Sequence, residues 1–180
     1  MAQYSYTIRI LEEFRMKDSK PVSTPISTGV YYSKQDCPVT EEYKAEMAAI
    51  PYRRVIGKLL YLAVNMRPDI TVAVGTLSRF VSNPGQNHWK GIKHILRYLN
   101  GTADYGLKIT SQQAEKTLPQ VYGYVDSTWG DDKDCRRSRA GYVFYLESVP
   151  ISWKTTLQQV VALSSAEAEY IAVIAMSYLR

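Results

Sequence analysis

Sulfur and imidazole are scarce in this chain, and the scarcity removes several classes of protein at once. Cys37 and Cys135 are its two cysteines, far apart and with no Cys-x-x-Cys pairing, so neither a disulfide framework nor a zinc ribbon is on offer. A reducing compartment suits such usage. His88 and His94 are the two histidines. Six positions apart, they fall on different sides of a helix, which argues against a shared metal. Long apolar runs are missing as well: the most apolar stretch, residues 160–179, is interrupted by Glu167 and Glu169 and followed by Arg180. No membrane span is expected. Residues 1–14 lack the basic start, apolar run and small-residue cleavage site of a signal peptide, so a cytoplasmic or nuclear location is expected. There is no internal repeat and no low-complexity tract.

What is present is ordinary globular material: 46% hydrophobic and 22% charged residues, enough for one domain or two small ones. Fifteen tyrosines suit half-buried strands and interfaces without naming a function. The formal charge of +5 is concentrated. Residues 51–100 hold eight Lys/Arg against the single acid Asp69, whereas acids slightly outnumber bases on either side. A local positive excess is what a polyanion-binding surface requires, and equally what a solvated basic face looks like.

The spacing predicts a short helix within residues 4–16, with Ile8, Leu11 and Phe14 on one side, then a Ser/Thr/Pro-rich surface linker over 19–40. Helices are predicted over 52–65 (Val55, Leu59, Leu62 in step), over 69–82 after Pro68, and over 87–99. The last is strongly amphipathic. Trp89, Ile92, Ile95, Leu96 and Leu99 share one face; Lys90, Lys93, His94 and Arg97 share the other. Lys90, Lys93 and Arg97 are therefore the candidate phosphate contacts, with a plain solvated face as the alternative. From residue 104 the period becomes two. Strands are predicted at Tyr105–Ile109, Val121–Asp126, Gly141–Leu146 and Ile151–Lys154, with a polar run at 110–120 and a charged loop at 130–140. A final helix begins near Ser164, where Ser164 and Glu167 match a capping box. The fold class expected is α+β: a mainly helical N-terminal part, then antiparallel strands and a helix.

Two acids stand out. Asp126 closes a strand that alternates Tyr122, Tyr124, Asp126 on one face, and Glu169 lies just inside the last helix. An acid at a strand end and another on a helix packed across it can jointly hold Mg²⁺, a cation that favours carboxylate oxygens. Two such ions can clamp the attacking and leaving oxygens of phosphodiester hydrolysis. Glu167 and Glu169 point about 200° apart on a helix, so the capping role of Glu167 leaves Glu169 as the candidate ligand. Surface solvation or capping remains the alternative for any such pair.

Several blocks, in collinear order, resemble one family. Arg54-Val-Ile-Gly57-Lys-Leu-Leu-Tyr-Leu62, Arg67-Pro-Asp-Ile70, His88-Trp89 with Ile95-Leu-Arg-Tyr-Leu99, and Ile10-Leu-Glu-Glu-Phe-Arg-Met16 with Thr24-Pro25 are similar to the C-terminal region of Ty1/copia-type reverse transcriptases. Gly123-Tyr-Val-Asp126, Arg136-Arg-Ser138, Gly141-Tyr-Val-Phe144, Ile151-Ser-Trp153 and Val161-Ala-Leu-Ser-Ser-Ala-Glu-Ala-Glu-Tyr170 resemble the ribonuclease H domain of the same retrotransposon polyprotein. The resemblance implies an N-terminal helix and linker at 1–40, reverse transcriptase connection helices at 41–110 and an incomplete ribonuclease H-like domain at 118–180. It implies Asp126 and Glu169 as the first two of four catalytic and metal-binding acids, Mg²⁺ as cofactor and an RNA–DNA hybrid as partner.

The chain also departs from the family pattern. Asp126-Ser-Thr-Trp129 replaces Asp-Ala-Asp-Trp, Arg139 stands where serine or threonine is usual, and no Tyr-x-Asp-Asp occurs. The third and fourth acids would lie beyond Arg180, and so would the strand that pairs with Val121–Asp126. A vestigial site with little or no catalysis is therefore expected, together with an open sheet edge that a partner protein could cover. Two other readings stand beside it: a Mg²⁺-dependent ribonuclease H completed by other acids, and an interaction protein of retroelement origin. For the latter, Arg9-Ile-Leu-Glu-Glu13 resembles the RxLR-EER element of effectors that oomycete pathogens secrete into host cells, with Glu12 in place of the second arginine.

Overall fold

The computed structural model describes residues 3–109 and 120–177. The class is α+β, with helices first and strands after, and the chain divides into two compact units, residues 2–106 and 107–180.

In the helical unit the described elements are α1 (Tyr4–Glu13), α2 (Glu41–Ala48), α3 (Tyr52–Asn65), α4 (Thr71–Ser78) and α5 (Gln86–Gly101). Short 3₁₀ turns at Lys34–Asp36 and Pro68–Ile70 interrupt them. One core joins Ile10 and Leu11 of α1, Val55, Leu59 and Leu62 of α3, Val74 and Leu77 of α4, and Ile92, Ile95, Leu96 and Leu99 of α5. Each set recurs at three or four residues, which is why α3 and α5 lie where the periodicity put them.

Three expectations need correcting. The helix predicted over 69–82 begins with the 3₁₀ turn that Pro68 opens, and regular α-helix stops at Ser78. Tyr105–Ile109 is not a strand. The Tyr105 amide closes a turn on the Thr102 carbonyl (3.0 Å) and the Arg67 guanidinium sits 5.7 Å from its ring, so it ends the helical unit rather than joining the sheet. Residues 19–40 run over the surface as expected, but as a strap tied down by hydrogen bonds rather than as a linker. Asn100 and Arg97 side chains of α5 donate to the carbonyls of Ser19 (2.8 Å) and Lys20 (2.7 Å). His94 donates through Nε2 to the Thr24 carbonyl and accepts at Nδ1 from the Ser27 hydroxyl, both at 2.9 Å. Buried His88 accepts the Gly85 amide at Nδ1 (2.9 Å) and donates through Nε2 to the Ser33 carbonyl (3.1 Å), stacked on Phe80. Tyr32 drops into the core. The polar run at 110–119 lies outside the described residues.

Tyr52 opens α3 and is buried; its hydroxyl donates to the Leu77 carbonyl at 2.8 Å. Burial raises its ionisation well above the ordinary tyrosine value. An unfolded tyrosine ionises near pH 10 while this one stays neutral, so its contribution is complete below about pH 10 and is lost as pH climbs further. Tyr52→Phe is expected to lower stability by about 1 kcal/mol at neutral pH and to flatten the alkaline fall in stability, as urea titrations at pH 8 and pH 11 would register.

The second unit holds a three-stranded antiparallel sheet in the order β1 (Val121–Thr128), β2 (Arg139–Leu146), β3 (Val149–Leu157), then α6 (Ser165–Ser177). Tyr122 faces Tyr145 and Asp126 faces Gly141 across β1 and β2, and a bulge at Phe144/Tyr145 shifts the β2–β3 register. Among the described strands β1 and β3 are the outer ones, and Val121, Tyr122 and Tyr124 are exposed along β1. The charged loop is folded rather than free. Asp132, itself buried, accepts the amides of Asp134 and Cys135, while the enclosed Ser138 hydroxyl accepts the Gly130 amide at 3.1 Å.

Candidate functional site

The end of β1 is fixed from several directions. The Trp129 indole donates to the Ala162 carbonyl (2.9 Å), tying the strand's exit to the segment that precedes α6. The Gln158 side chain donates to the Ala168 carbonyl (2.7 Å), and its amide donates to Ser138, so β3, the loop and the first turn of α6 are held together. At the α6 start the Ser164 hydroxyl accepts the Glu167 amide (3.1 Å) and the Glu167 carboxylate accepts the Leu163 amide (2.7 Å). Glu167 is thus occupied with capping, one residue earlier than a strict capping box would have it.

That leaves Glu169, half-buried, on the side of the helix facing β1. Its Oε1 accepts the Ser127 amide at 3.3 Å, and the same amide donates to Asp126 Oδ1 at 2.8 Å. Asp126, which lies two residues inside β1 rather than at its end as expected, and the helix acid Glu169 therefore converge on one N–H. The Ser127 hydroxyl is enclosed with no hydrogen-bond partner. Two carboxylates so placed offer hard oxygen donors of the kind Mg²⁺ takes. Among the described residues no group of three His, Cys, Asp or Glu is arranged to hold a metal ion. Sequence reasoning did not anticipate the Ser127 amide as the shared donor, because a backbone N–H carries no residue-type signal.

In the helical unit, Lys90 and Lys93 are exposed on α5, and the Lys93 ammonium lies 5.8 Å from the Trp89 ring centre. Arg97, one turn on, is half-buried and spends its Nε–H on the Lys20 carbonyl. The basic face is thus divided: two lysines meet solvent, while His94 and Arg97 hold the strap. Leu11 of the Arg9-Ile-Leu-Glu-Glu13 stretch is fully buried, and Glu13 pairs with Arg54 (2.6 Å) and Lys58 (3.1 Å). Core packing of Ile10 and Leu11, the Glu12–Lys17 pair and the pairs of Glu13 with α3 account for all of the stretch but Arg9. Among the described residues no helix is long and apolar enough to cross a membrane.

No family model and no solved structure matches the chain. Curated proteins do. The retrovirus-related Pol polyprotein from transposon TNT 1-94 of Nicotiana tabacum is 46% identical over 96% of this chain and 13% of its own length. The Pol polyprotein from transposon RE2 of Arabidopsis thaliana is 37% identical over 94% of the chain and 11% of its own length. The secreted RxLR effector protein 161 of Plasmopara viticola is 44% identical over 70% of the chain and 86% of its own length. The chain thus spans roughly an eighth of the transposon polyproteins it matches nearly end to end. With blocks from Ile10 to Tyr170 in collinear order and identity of 37–46% across both units, the chain belongs to the copia-type retrovirus-related Pol polyproteins of transposons.

Proposed function

We propose that this chain is the stretch of a copia-type polyprotein where the reverse transcriptase ends and the ribonuclease H domain begins. In this reading it binds nucleic acid through Lys90 and Lys93 and carries two acidic anchors of a two-Mg²⁺ centre, without cleaving by itself. The observation that carries the reading is the convergence of Asp126 and Glu169 on the Ser127 amide. Mg²⁺, when bound, would supply charge neutralisation at the reacting phosphate. Asp126 and Glu169 would hold it, and the amide keeps both carboxylates oriented. Two carboxylates make a weak Mg²⁺ site, because affinity for hard cations rises with the number of charged oxygens. The outer edge of β1, exposed at Val121 and Tyr124, can accept a further strand from a partner.

The test uses the purified protein, Mg²⁺ and a labelled RNA–DNA hybrid. Binding without cleavage is expected, and each of Lys90→Glu and Lys93→Glu should reduce the slope of log affinity against log salt by about 1. Cleavage that disappears in both Asp126→Asn and Glu169→Gln would overturn the inactive reading in favour of a working ribonuclease H.

A second reading, an interaction protein of retroelement origin, is favoured by the likeness to the RxLR effector over 86% of that protein's length. Leu11 lies in the core, so this reading does not run through the Arg9–Glu13 stretch. Secretion from the source cell and activity inside a host cell would establish it.

A further inference from the structure

Between α1 and α3 lies a cleft of about 530 Å³ that none of the readings above uses. Its volume is in the range of small-ligand sites. Tyr4 and Tyr61 each expose about half their area on its walls (53% and 52%). Tyr6 braces Tyr61 edge-on, with ring centres 5.2 Å apart at 69°. Two cations approach the Tyr6 ring: Arg9 at 5.7 Å and Lys58 at 6.0 Å. Lys58 is already paired with Glu13, whereas Arg9 forms no ion pair among the described residues.

We infer that this cleft binds a nucleobase of single-stranded nucleic acid. Tyrosine faces held apart from the core accept a base by stacking, a contact every base can make. A guanidinium set beside them answers the phosphate. The two requirements of such a stacking site, aromatic planes and a cation, meet here between α1 and α3. The basic face of α5 is a separate surface reading duplex or single strand through phosphate alone, so the cleft adds selectivity for unpaired bases. The inference rests on the proposed nucleic-acid binding for its choice of ligand, and its test is arranged to fail separately.

The measurement is fluorescence anisotropy of a labelled oligoadenylate and of a duplex of equal length. Tyr61→Ala and Tyr4→Ala should each weaken the oligoadenylate by about tenfold while leaving the duplex unchanged, and Tyr61→Phe should retain the affinity. Lys90→Glu with Lys93→Glu should weaken both. Tyrosine variants that bind oligoadenylate like the parent, or that lose duplex equally, overturn the cleft and leave the α5 reading intact. Absence of all oligonucleotide binding sinks the α5 reading; the cleft is then judged by AMP titration followed by NMR. Shifts of the Tyr4, Tyr6 and Tyr61 ring signals that vanish in Tyr61→Ala support it, and unmoved signals overturn it.

Discussion

Replacing Arg67 with alanine is expected to lower the unfolding free energy of the helical unit by about 3 kcal/mol, the lower end of the range for breaking a buried charge pair, because the Asp69 left behind keeps part of its carboxylate in water. Arg67 is 2% exposed. Its guanidinium forms a fork onto Asp69, with Nε to Oδ1 at 2.9 Å and Nη2 to Oδ2 at 2.7 Å. It also donates to the Thr102 carbonyl (2.9 Å) and hydroxyl (2.7 Å), and lies 5.7 Å from the ring centres of Tyr98 and Tyr105. Asp69 in turn accepts the Tyr98 hydroxyl at 2.9 Å. One side chain therefore joins the start of the 3₁₀ turn to the end of α5. Arg67→Lys should recover little, since a lysine ammonium cannot reproduce the planar fork. Urea denaturation of the three proteins decides the matter; a loss below 1 kcal/mol for alanine would mean that the network adds little.

Gly85→Ala should be the most damaging change of a small residue. A Cβ there would land on the Asp36 carbonyl oxygen, which is backbone and has no rotamer by which to yield. Overpacking ordinarily costs about 1–3 kcal/mol, and the upper end is expected here. The strap from Ser33 to Cys37 would have to lift off the start of α5. The His88–Ser33 bond would go with it. Loss of hydrogen-exchange protection at His88 and its neighbours in Gly85→Ala, beside an unchanged sheet unit, is the expected pattern. Gly57→Ala, where nothing lies within 4 Å of the added carbon, is the control.

How far the residues alone disclosed this arrangement varied with how local the causes were. α3 and α5 were legible because their apolar residues repeat on one face, and the helix bears the same pattern whatever packs against it. α2 was not legible: Met47 is its one buried residue, and a polar octapeptide capped by Thr40 has no stripe to read. The strap was hidden for another reason. Serines, threonines and prolines mark a connection, but its hold comes from histidine, arginine and asparagine side chains dozens of residues away. Tyr105–Ile109 alternated like a strand, yet alternation supplies no partner, and Arg67 claims the Tyr105 ring. At the acidic site, the strand was expected to end at Asp126 but runs on to Thr128; the exclusion of Glu167 by its capping duty was readable. Which backbone group would orient the two carboxylates was not. Of the basic face, the sequence grouped four residues that the fold divides between solvent and strap.

The strap also sets an order of events during synthesis. Its bonds to α5 close over separations of 51 to 81 residues, so the segment leaves the ribosome long before its clamps exist. Contacts that distant exact their loop-closure entropy before returning any stability. The clamping of the strap therefore completes only once Asn100 has emerged. A nascent chain halted before α5 would present Tyr32 and the Ile10–Leu11 face uncovered, which is the state a chaperone would meet.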